Sequence, residues 1–330
     1  MRAVVVERWM EPGELRVREI AAPEVGPGSL IVDVKAAGCN YFDILLARGQ
    51  YQMKPPFPFV PGAELAGVVR EVGPEVEGFS IGDRVLASVP LGGFAERAVV
   101  PVTGAWPMPA PMSFAEGAAF PIVYPTSHAA LVLRAQLQRG ETLLVHAAAG
   151  GVGLAAVQIG KALGARVIAT AGGEEKLEVA RQAGADETID YQQEDFVERV
   201  RELTAGKGAD VIYESVGGEV FDRSLKCIAW NGRLLVIGFA GGQIPEVKVN
   251  RILLKNIALI GLHWGAYALN EPARIGETFA ALFRLYDAGK IKPVIFRRYR
   301  LEEIADALVA LGSRKTYGKV VVVPTNDVEL

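Results

Sequence analysis

Cysteine is nearly absent from this sequence of 330 residues: Cys39 and Cys227 are the only two. Two cysteines cannot build a disulfide framework, and such sparse usage suits a reducing cytoplasm. Histidine is nearly as scarce. His128, His146 and His263 do not cluster in sequence, and no set of four closely spaced cysteines exists to hold a structural zinc. An excess of either charge is also missing, because 35 basic and 38 acidic residues leave a net charge of −3. Near-neutrality argues against nucleic acid or a membrane surface as the main partner. No apolar run approaches the roughly 20 residues that cross a bilayer. Residues 1–7 contain no long apolar region and run into Arg8, so they read as a first strand rather than a signal peptide.

Small and apolar residues are plentiful. Half the sequence is hydrophobic, and a chain of this length can bury the cores of two domains. The most informative stretch is Thr142–Leu143–Leu144–Val145–His146–Ala147–Ala148–Ala149–Gly150–Gly151–Val152–Gly153. It begins as a buried strand, breaks at a small-residue turn and resumes as an alanine-rich helix. The turn carries Ala148-x-Gly150-x-x-Gly153, one residue away from the G-x-G-x-x-G dinucleotide pattern. Gly150 is expected to permit the tight turn. Gly151 and Gly153 are expected to leave room for a pyrophosphate and for helix–strand contact. A helix N-terminus then offers free N–H groups to the phosphates. A second strand at 166–171 follows at βαβ spacing, which is the context such a motif needs.

Along the chain, residues 1–121 read as mainly β, with strands at 3–7, 15–19, 30–36, 64–72, 84–87 and 94–100 and one short helix at 41–48. Residues 113–137 read as helical, opened by a capping box of Ser113 and Glu116 and interrupted by a loop near 123–126. From 141 to 262 strands alternate with helices, the pattern of a doubly wound parallel α/β sheet. After 262 the alternation stops, and strands at 294–299 and 319–323 are expected to return to the first domain.

The chain resembles the medium-chain dehydrogenase/reductase superfamily over essentially its full length, and most of all its zinc-free NADPH:quinone oxidoreductases, the zeta-crystallin group. The matching stretches are Ala37–Gly38–Cys39–Asn40–Tyr41–Phe42–Asp43, Pro61–Gly62–Ala63–Glu64–Leu65–Ala66–Gly67, Ile81–Gly82–Asp83–Arg84–Val85 and the glycine turn. The resemblance implies a discontinuous GroES-like catalytic domain (1–121 and 264–330) with a Rossmann dinucleotide-binding domain (122–263) inserted in it. In the alcohol-dehydrogenase branch a zinc is held by a Cys and a His; the matching positions here are Asn40 and Ala63, neither a normal zinc ligand. No metal is therefore expected. Without a Lewis acid, an acceptor that is already electrophilic suits the site better than an alcohol.

NADPH is the expected cofactor. The second strand ends in Ala171–Gly172–Gly173, without the carboxylate that holds a ribose 2′-hydroxyl in NAD-specific folds. By resemblance, Lys176, Tyr191 and Arg314 hold the 2′-phosphate; Glu174 and Glu175 are an opposing feature nearby. The cofactor set also takes in Ala149, Gly150, Gly151, Val152, Gly153, Gly172, Val216, Gly238 and Phe239. By the same resemblance Asn40, Tyr51 and Thr126 line the reacting centre, Asn40 and Thr126 beside the nicotinamide. Tyr51 is either a proton donor or a loop aromatic filling space beside Pro55 and Pro56. His263, Trp264 and Tyr267 follow the last strand of the nucleotide sheet and are candidate walls for the substrate.

Three functions fit these residues. The leading one is an NADPH-dependent quinone reductase. The second is a reductase of activated alkenes such as 2-enones, enals or short enoyl-CoA thioesters, which needs a placed proton donor. The third is an NADPH-binding sensor or RNA-binding protein with little catalysis, against which the near-neutral charge and the lack of an aromatic–basic stripe both count. Residues 256–262 are apolar and are expected to form the outermost strand of the nucleotide sheet, an edge that invites two-fold pairing into a homodimer.

Overall fold

The computed structural model describes residues 1–324 and separates into two units whose chain order is interleaved. Met1–Ile122 and Pro293 onward form the first unit, and Val123–Lys292 the second.

The first unit opens with β1 (Arg2–Val4) and β2 (Val17–Glu19), which pair antiparallel. The ten-residue β3 (Ser29–Gly38) is buried along most of its length because it has neighbours on both sides. After it come α1 (Tyr41–Ala47), β4 (Glu64–Val72), β5 (Arg84–Ser88), β6 (Arg97–Pro101), β7 (Ala105–Pro107) and α2 (Phe114–Ala118). The β3 strand pairs with β4 and β6, β4 with β5, and β5 with β7, all antiparallel. Turn chemistry closes the hairpins: the Asp83 carboxylate accepts the Ser80 N–H at 2.7 Å, and Gly82 sits at φ 96°. At the start of α2 the capping box forms as its sequence predicts. Ser113 Oγ accepts the Glu116 N–H at 3.3 Å, and Glu116 Oε2 accepts the Ser113 N–H at 2.8 Å.

The second unit begins with α3 (Val123–His128), which continues into a π-helical turn, Ala129–Arg134. The loop expected near 123–126 is therefore helix. Pro125 is its third residue, within the first turn, where an N–H has no intrahelical partner to lose. Next come β8 (Thr142–Val145), α4 (Gly151–Ala162), β9 (Arg166–Ala171), α5 (Glu174–Gln182), β10 (Glu187–Asp190), α6 (Phe196–Leu203) and β11 (Ala209–Glu214). The unit continues with α7 (Gly218–Cys227), β12 (Ile228–Val236), α8 (Asn250–Lys255), β13 (Ala258–Gly261), α9 (Tyr267–Asn270) and α10 (Pro272–Asp287). Its six strands are parallel in the order β10-β9-β8-β11-β12-β13, so the direction of winding reverses beside β8. That reversal opens the crevice at which doubly wound sheets take ligands.

The chain then re-enters the first unit as β14 (Ile295–Arg300), α11 (Ile304–Gly312) and β15 (Lys319–Val323). The β15 strand runs parallel to β14 and antiparallel to β3, with Val321 opposite Gly38, so the returning strands complete the sheet as expected. The return comes at Pro293 and not at 264. Residues 264–292 stay with the second unit because Gln158 holds Lys292 through both ends of its amide, at 2.9 and 3.0 Å, and α10 buries Phe279 and Leu282. The end of strand–helix alternation was a change of pattern without being a change of unit. Among the described residues no helix is long and apolar enough to cross a membrane.

Candidate active site

In the second unit the glycine turn joins β8 to α4. The Ala148 N–H donates to Thr170 O at 3.0 Å, and the Gly150 N–H to Ala147 O at 2.9 Å. The left-handed residue of the turn is Ala147, at φ 48°; Gly150 is extended, at φ −77° and ψ 171°. The tight turn expected of Gly150 is thus made by an alanine, at a conformational cost of about 1–2 kcal/mol. Gly153 does what its position predicts: a Cβ there would lie 2.3 Å from Ala147 O and 2.8 Å from Ala148 Cα. Ala149 and Gly150 lead into α4, whose first residues are Gly151, Val152 and Gly153. Its first N–H groups and positive end are free for an anion. Thr126, on α3, is drawn to this turn by its neighbour: Ser127 donates to Val152 O at 2.9 Å and therefore accepts from Tyr213, also at 2.9 Å.

Beyond β9, Gly172 faces polar groups directly, since a Cβ on it would sit 2.8 Å from both Tyr191 Oη and Gln192 Nε2. Lys176 lies in the first turn of α5, just past Gly173. Gly172 and Tyr191 thus meet at one end of the sheet, with Tyr191 54 % exposed. One oxygen of the nearby Asp190 carboxylate, Oδ1, accepts the N–H groups of Gly173 and Gln192, at 3.3 and 3.0 Å. Glu174, the expected opponent of a phosphate, pairs with Arg181 at 2.8 Å. Arg314 belongs to the first unit, past the end of α11, at φ 58°.

The remaining residues named for this sheet fall beyond β11, β12 and β13. Buried Glu214 accepts the N–H groups of Val216 and Gly217, at 2.7 and 2.9 Å. Burial raises its pKa, while those two donors act against the shift. The Val216 carbonyl accepts the Gly241 N–H at 2.7 Å, which folds the segment containing Gly238 and Phe239 onto Val216. Trp264 and Tyr267 stack with centroids 5.2 Å apart, and His263 and Tyr267 line a cavity of about 210 Å³ with Arg134. His146, next to the turn, is structural. Ser224 gives its hydroxyl proton to Val220 O, so His146 Nε2–H donates to Ser224 at 2.9 Å and Nδ1 accepts from Thr170 at 3.0 Å. Burial first, and Arg223 second, lower its pKa to about 3.

In the first unit the polar centre is ionic. Asn40 follows β3, and its N–H donates to Asp43 Oδ2 at 2.7 Å. Its Nδ2 donates to Glu64 Oε1 at 2.8 Å, and its Oδ1 accepts from Lys319 Nζ at 2.7 Å. Lys319 and Glu64 form a buried ion pair at 2.6 Å. Burial pushes the Asp43 carboxyl up to about 7, against the pull of the Asn40 N–H and of Lys319. The Cys39 thiol rises well above its ordinary value, also through burial. Tyr51 is half-buried, its ring 5.3 Å from that of Phe42, and no described residue hydrogen-bonds its hydroxyl. Ala63 adds no donor beside Asn40, and no group of three His, Cys, Asp or Glu able to hold a metal occurs among the described residues.

Sequence reasoning gave no role to Glu64, Lys319, Glu214 or Ser127. Lys319 did leave a signal, as the one charge in an otherwise apolar strand.

Comparison with known proteins then adds findings of three kinds. Residues 26–110 match the alcohol dehydrogenase GroES-like domain, and residues 151–283 match the zinc-binding dehydrogenase family. The chain is 43 % identical to a quinone oxidoreductase-like protein 2 homolog of Nematostella vectensis over 307 residues, covering 92 % of this chain and 84 % of that one. It is 38 % identical to a quinone oxidoreductase of Pseudomonas aeruginosa, covering 95 % and 96 %. The solved structure of Escherichia coli quinone oxidoreductase complexed with NADPH superposes with a TM-score of 0.90 at 31 % identity, covering 98 % of this chain and all of that one.

Proposed function

We infer the activity from one premise: this chain belongs to the medium-chain dehydrogenase/reductase family, in its quinone oxidoreductase branch. It is an oxidoreductase with NADPH as cofactor, and it reduces a quinone without metal. Bound NADPH supplies a hydride. The chain's own residues bind and orient. The α4 N-terminus takes the pyrophosphate, with Gly153 keeping helix and turn in contact. Lys176 and Tyr191 take the 2′-phosphate, which fits the polar groups of Tyr191 and Gln192 that converge on Gly172, and the family resemblance adds Arg314. Thr126, Val216, Gly238 and Phe239 seat the nicotinamide end, and His263, Trp264 and Tyr267 form the acceptor wall. Asn40 hydrogen-bonds the nicotinamide ribose or the acceptor oxygen.

The feature that carries the metal-free assignment is Lys319. Its ammonium lies 2.7 Å from Asn40 Oδ1 and 2.6 Å from Glu64 Oε1, so a fixed positive charge already stands beside the position a zinc ligand would take. A divalent cation there would meet that charge, and neither Asn40 nor Ala63, at the two matching positions, offers a ligand atom of the usual kind. A second reading, reduction of activated alkenes, draws support from Tyr51, whose hydroxyl is left without a protein partner among the described residues and is therefore available to give a proton. Steady-state rates with NADPH and NADH against quinones and 2-enones, with and without chelator, test the assignment. Quinone turnover that prefers NADPH and ignores chelator is expected. One tightly held zinc per chain on which turnover depends would overturn the metal-free assignment. Enone turnover lost in Tyr51→Phe, with no quinone turnover, would install the alkene reading.

The same chain forms a homodimer. The outer edge of β13 has no partner strand among the described residues, and Leu253, Leu254 and Leu269 nearby in sequence are 78, 70 and 89 % exposed. Light scattering should give twice the 35.3 kDa chain mass. A dimer that survives Leu253→Lys with Leu269→Lys places the interface elsewhere. Two free, buried cysteines fit residence in the reducing cytoplasm.

A further inference from the structure

The first unit buries an ammonium whose every proton is committed. Lys319 Nζ donates to Cys39 O at 2.8 Å, Asn40 Oδ1 at 2.7 Å and Glu64 Oε1 at 2.6 Å, and the ammonium has no fourth proton to give. Its side chain is 5 % exposed and that of Glu64 is 0 %. Glu64 is equally committed: Oε1 also accepts from Asn40 Nδ2 at 2.8 Å, and Oε2 accepts the Ile122 N–H at 3.0 Å. The neighbouring backbone is shaped for this carboxylate. A Cβ on Gly38 would stand 2.5 Å from Glu64 Oε1 and 2.3 Å from Ala118 O.

Burying two charges is a poor way to stabilise a fold, because desolvation consumes much of the attraction. It is a good way to fix the direction of an amide. An ammonium only donates and an ionised carboxylate only accepts. With Lys319 on one side and Glu64 on the other, the Asn40 oxygen must face the lysine and the nitrogen the glutamate. The flipped amide would set NH2 against NH3⁺ and oxygen against carboxylate. The backbone of Asn40 is held as well, by Asp43.

We propose that Lys319 is a positioning residue: with Glu64 it fixes the orientation in which the partly buried Asn40 carboxamide meets its ligand. The role of Asn40 rests on the function proposed above, but its orientation does not. The other ionisable groups packed around the amide are Asp43 and Cys39.

The double variant Lys319→Met with Glu64→Gln removes both charges together and leaves no unpaired ion. A glutamine at 64 both donates and accepts, so no charge dictates the orientation of Asn40 any longer, and only the long contact of its Nδ2 with Gly38 O, at 3.5 Å, still favours one. The side-chain ¹⁵N–¹H signals of Asn40, identified by their loss in Asn40→Ala, should be one sharp pair in the native protein. They should be doubled or broadened in the double variant. The kcat for the quinone should fall at least tenfold, and NADPH affinity should fall with it where Asn40 meets the nicotinamide ribose. A folded double variant with one unshifted pair of signals and native kcat would overturn the proposal. Should the double variant not fold, Lys319→Arg decides, since it keeps a donor-only cation. A single retained pair of signals supports the proposal, and a doubled pair overturns it. If the native protein reduces no quinone, the functional reading fails while the amide signals still decide the orientation.

Discussion

In the first unit the buried polar centre is a full ion pair, Lys319 with Glu64, assembled around the Asn40 amide. Beside the glycine turn of the second unit the buried polar cluster is neutral, His146 between Thr170 and Ser224 and Tyr213 against Ser127, while the carboxylate of Glu214 lies beyond β11 and is held by backbone N–H groups. The difference teaches what each arrangement is suited to. Ions impose direction on a neighbouring amide, and each depends absolutely on its partner. Neutral hydroxyls and an imidazole tie strand ends to helices, and the loss of one member costs only its own hydrogen bonds. The neutral network is instead exposed to acid, because its histidine must stay unprotonated.

The sharpest way to break this comparison is to remove one partner from each centre. Lys319→Met alone leaves Glu64 buried and uncompensated, and should cost about 3–5 kcal/mol of stability. Ser127→Ala in the neutral centre should cost about 1–2 kcal/mol. Urea unfolding measures both, and equal losses would erase the distinction.

Acid should separate the two units next. His146 and His128 have folded pKa values lowered to about 3 and about 4, each by burial first. The unfolded chain protonates its histidines near 6.5, so between about 6.5 and 4 it binds more protons than the folded chain. The stability these groups supply is full above about 6.5 and falls with pH by about 1.4 kcal/mol per unit for each histidine. Asp43 acts in the opposite sense. Its folded pKa of about 7 exceeds its unfolded value, so its folded form binds the extra proton and acid favours folding between about 7 and 4. Unfolding free energies from pH 6.5 to 4.5 should therefore fall less steeply in His146→Gln and more steeply in Asp43→Asn. Identical slopes in the two variants would refute the opposed signs.

A smaller effect concerns the exposed phosphate end of the second unit, where charge acts on a ligand and not on the fold. Lys176→Ala should weaken NADPH by about 1.5–3 kcal/mol, roughly ten- to a hundredfold, and leave NADH nearly unchanged. Titrations of both cofactors check this; equal losses would remove Lys176 from the 2′-phosphate site. The smallest effect should be the same in both units. Ser113→Ala and Asp195→Ala each delete an N-cap acceptor, Asp195 Oδ1 holding the Val197 N–H at 2.8 Å. Each should cost about 1 kcal/mol in thermal unfolding.

Most of the nucleotide sheet was legible in the sequence. The strand at 166–171 falls where expected, and the alternation of strands and helices expected from 141 to 262 is there, because each element is a short local pattern bounded by its own turn. The glycine turn was legible in place but not in detail. Nothing in the run Ala147–Ala148–Ala149–Gly150 shows that the left-handed residue is the first alanine and not the glycine. The helix α8 and the strand β7 were missed: at six and three residues they are too short to show a period. The extra residues 264–292 of the second unit were missed because what holds them, the Gln158–Lys292 pair, spans 134 positions.

The sequence alone determined that this protein has a phosphate-ready glycine turn, a βαβ-type sheet behind it and no ordinary zinc ligands at Asn40 and Ala63. Those properties live in contiguous residues, where periodicity and residue type are enough. Only the tertiary structure decided that Lys319 serves Asn40, 279 positions away. That meeting depends on β15 pairing with β3 in the register that sets Val321 opposite Gly38. Side chains alternate between the faces of a strand, so a slip of one residue would turn the lysine away from Asn40 and leave Glu64 buried without its cation.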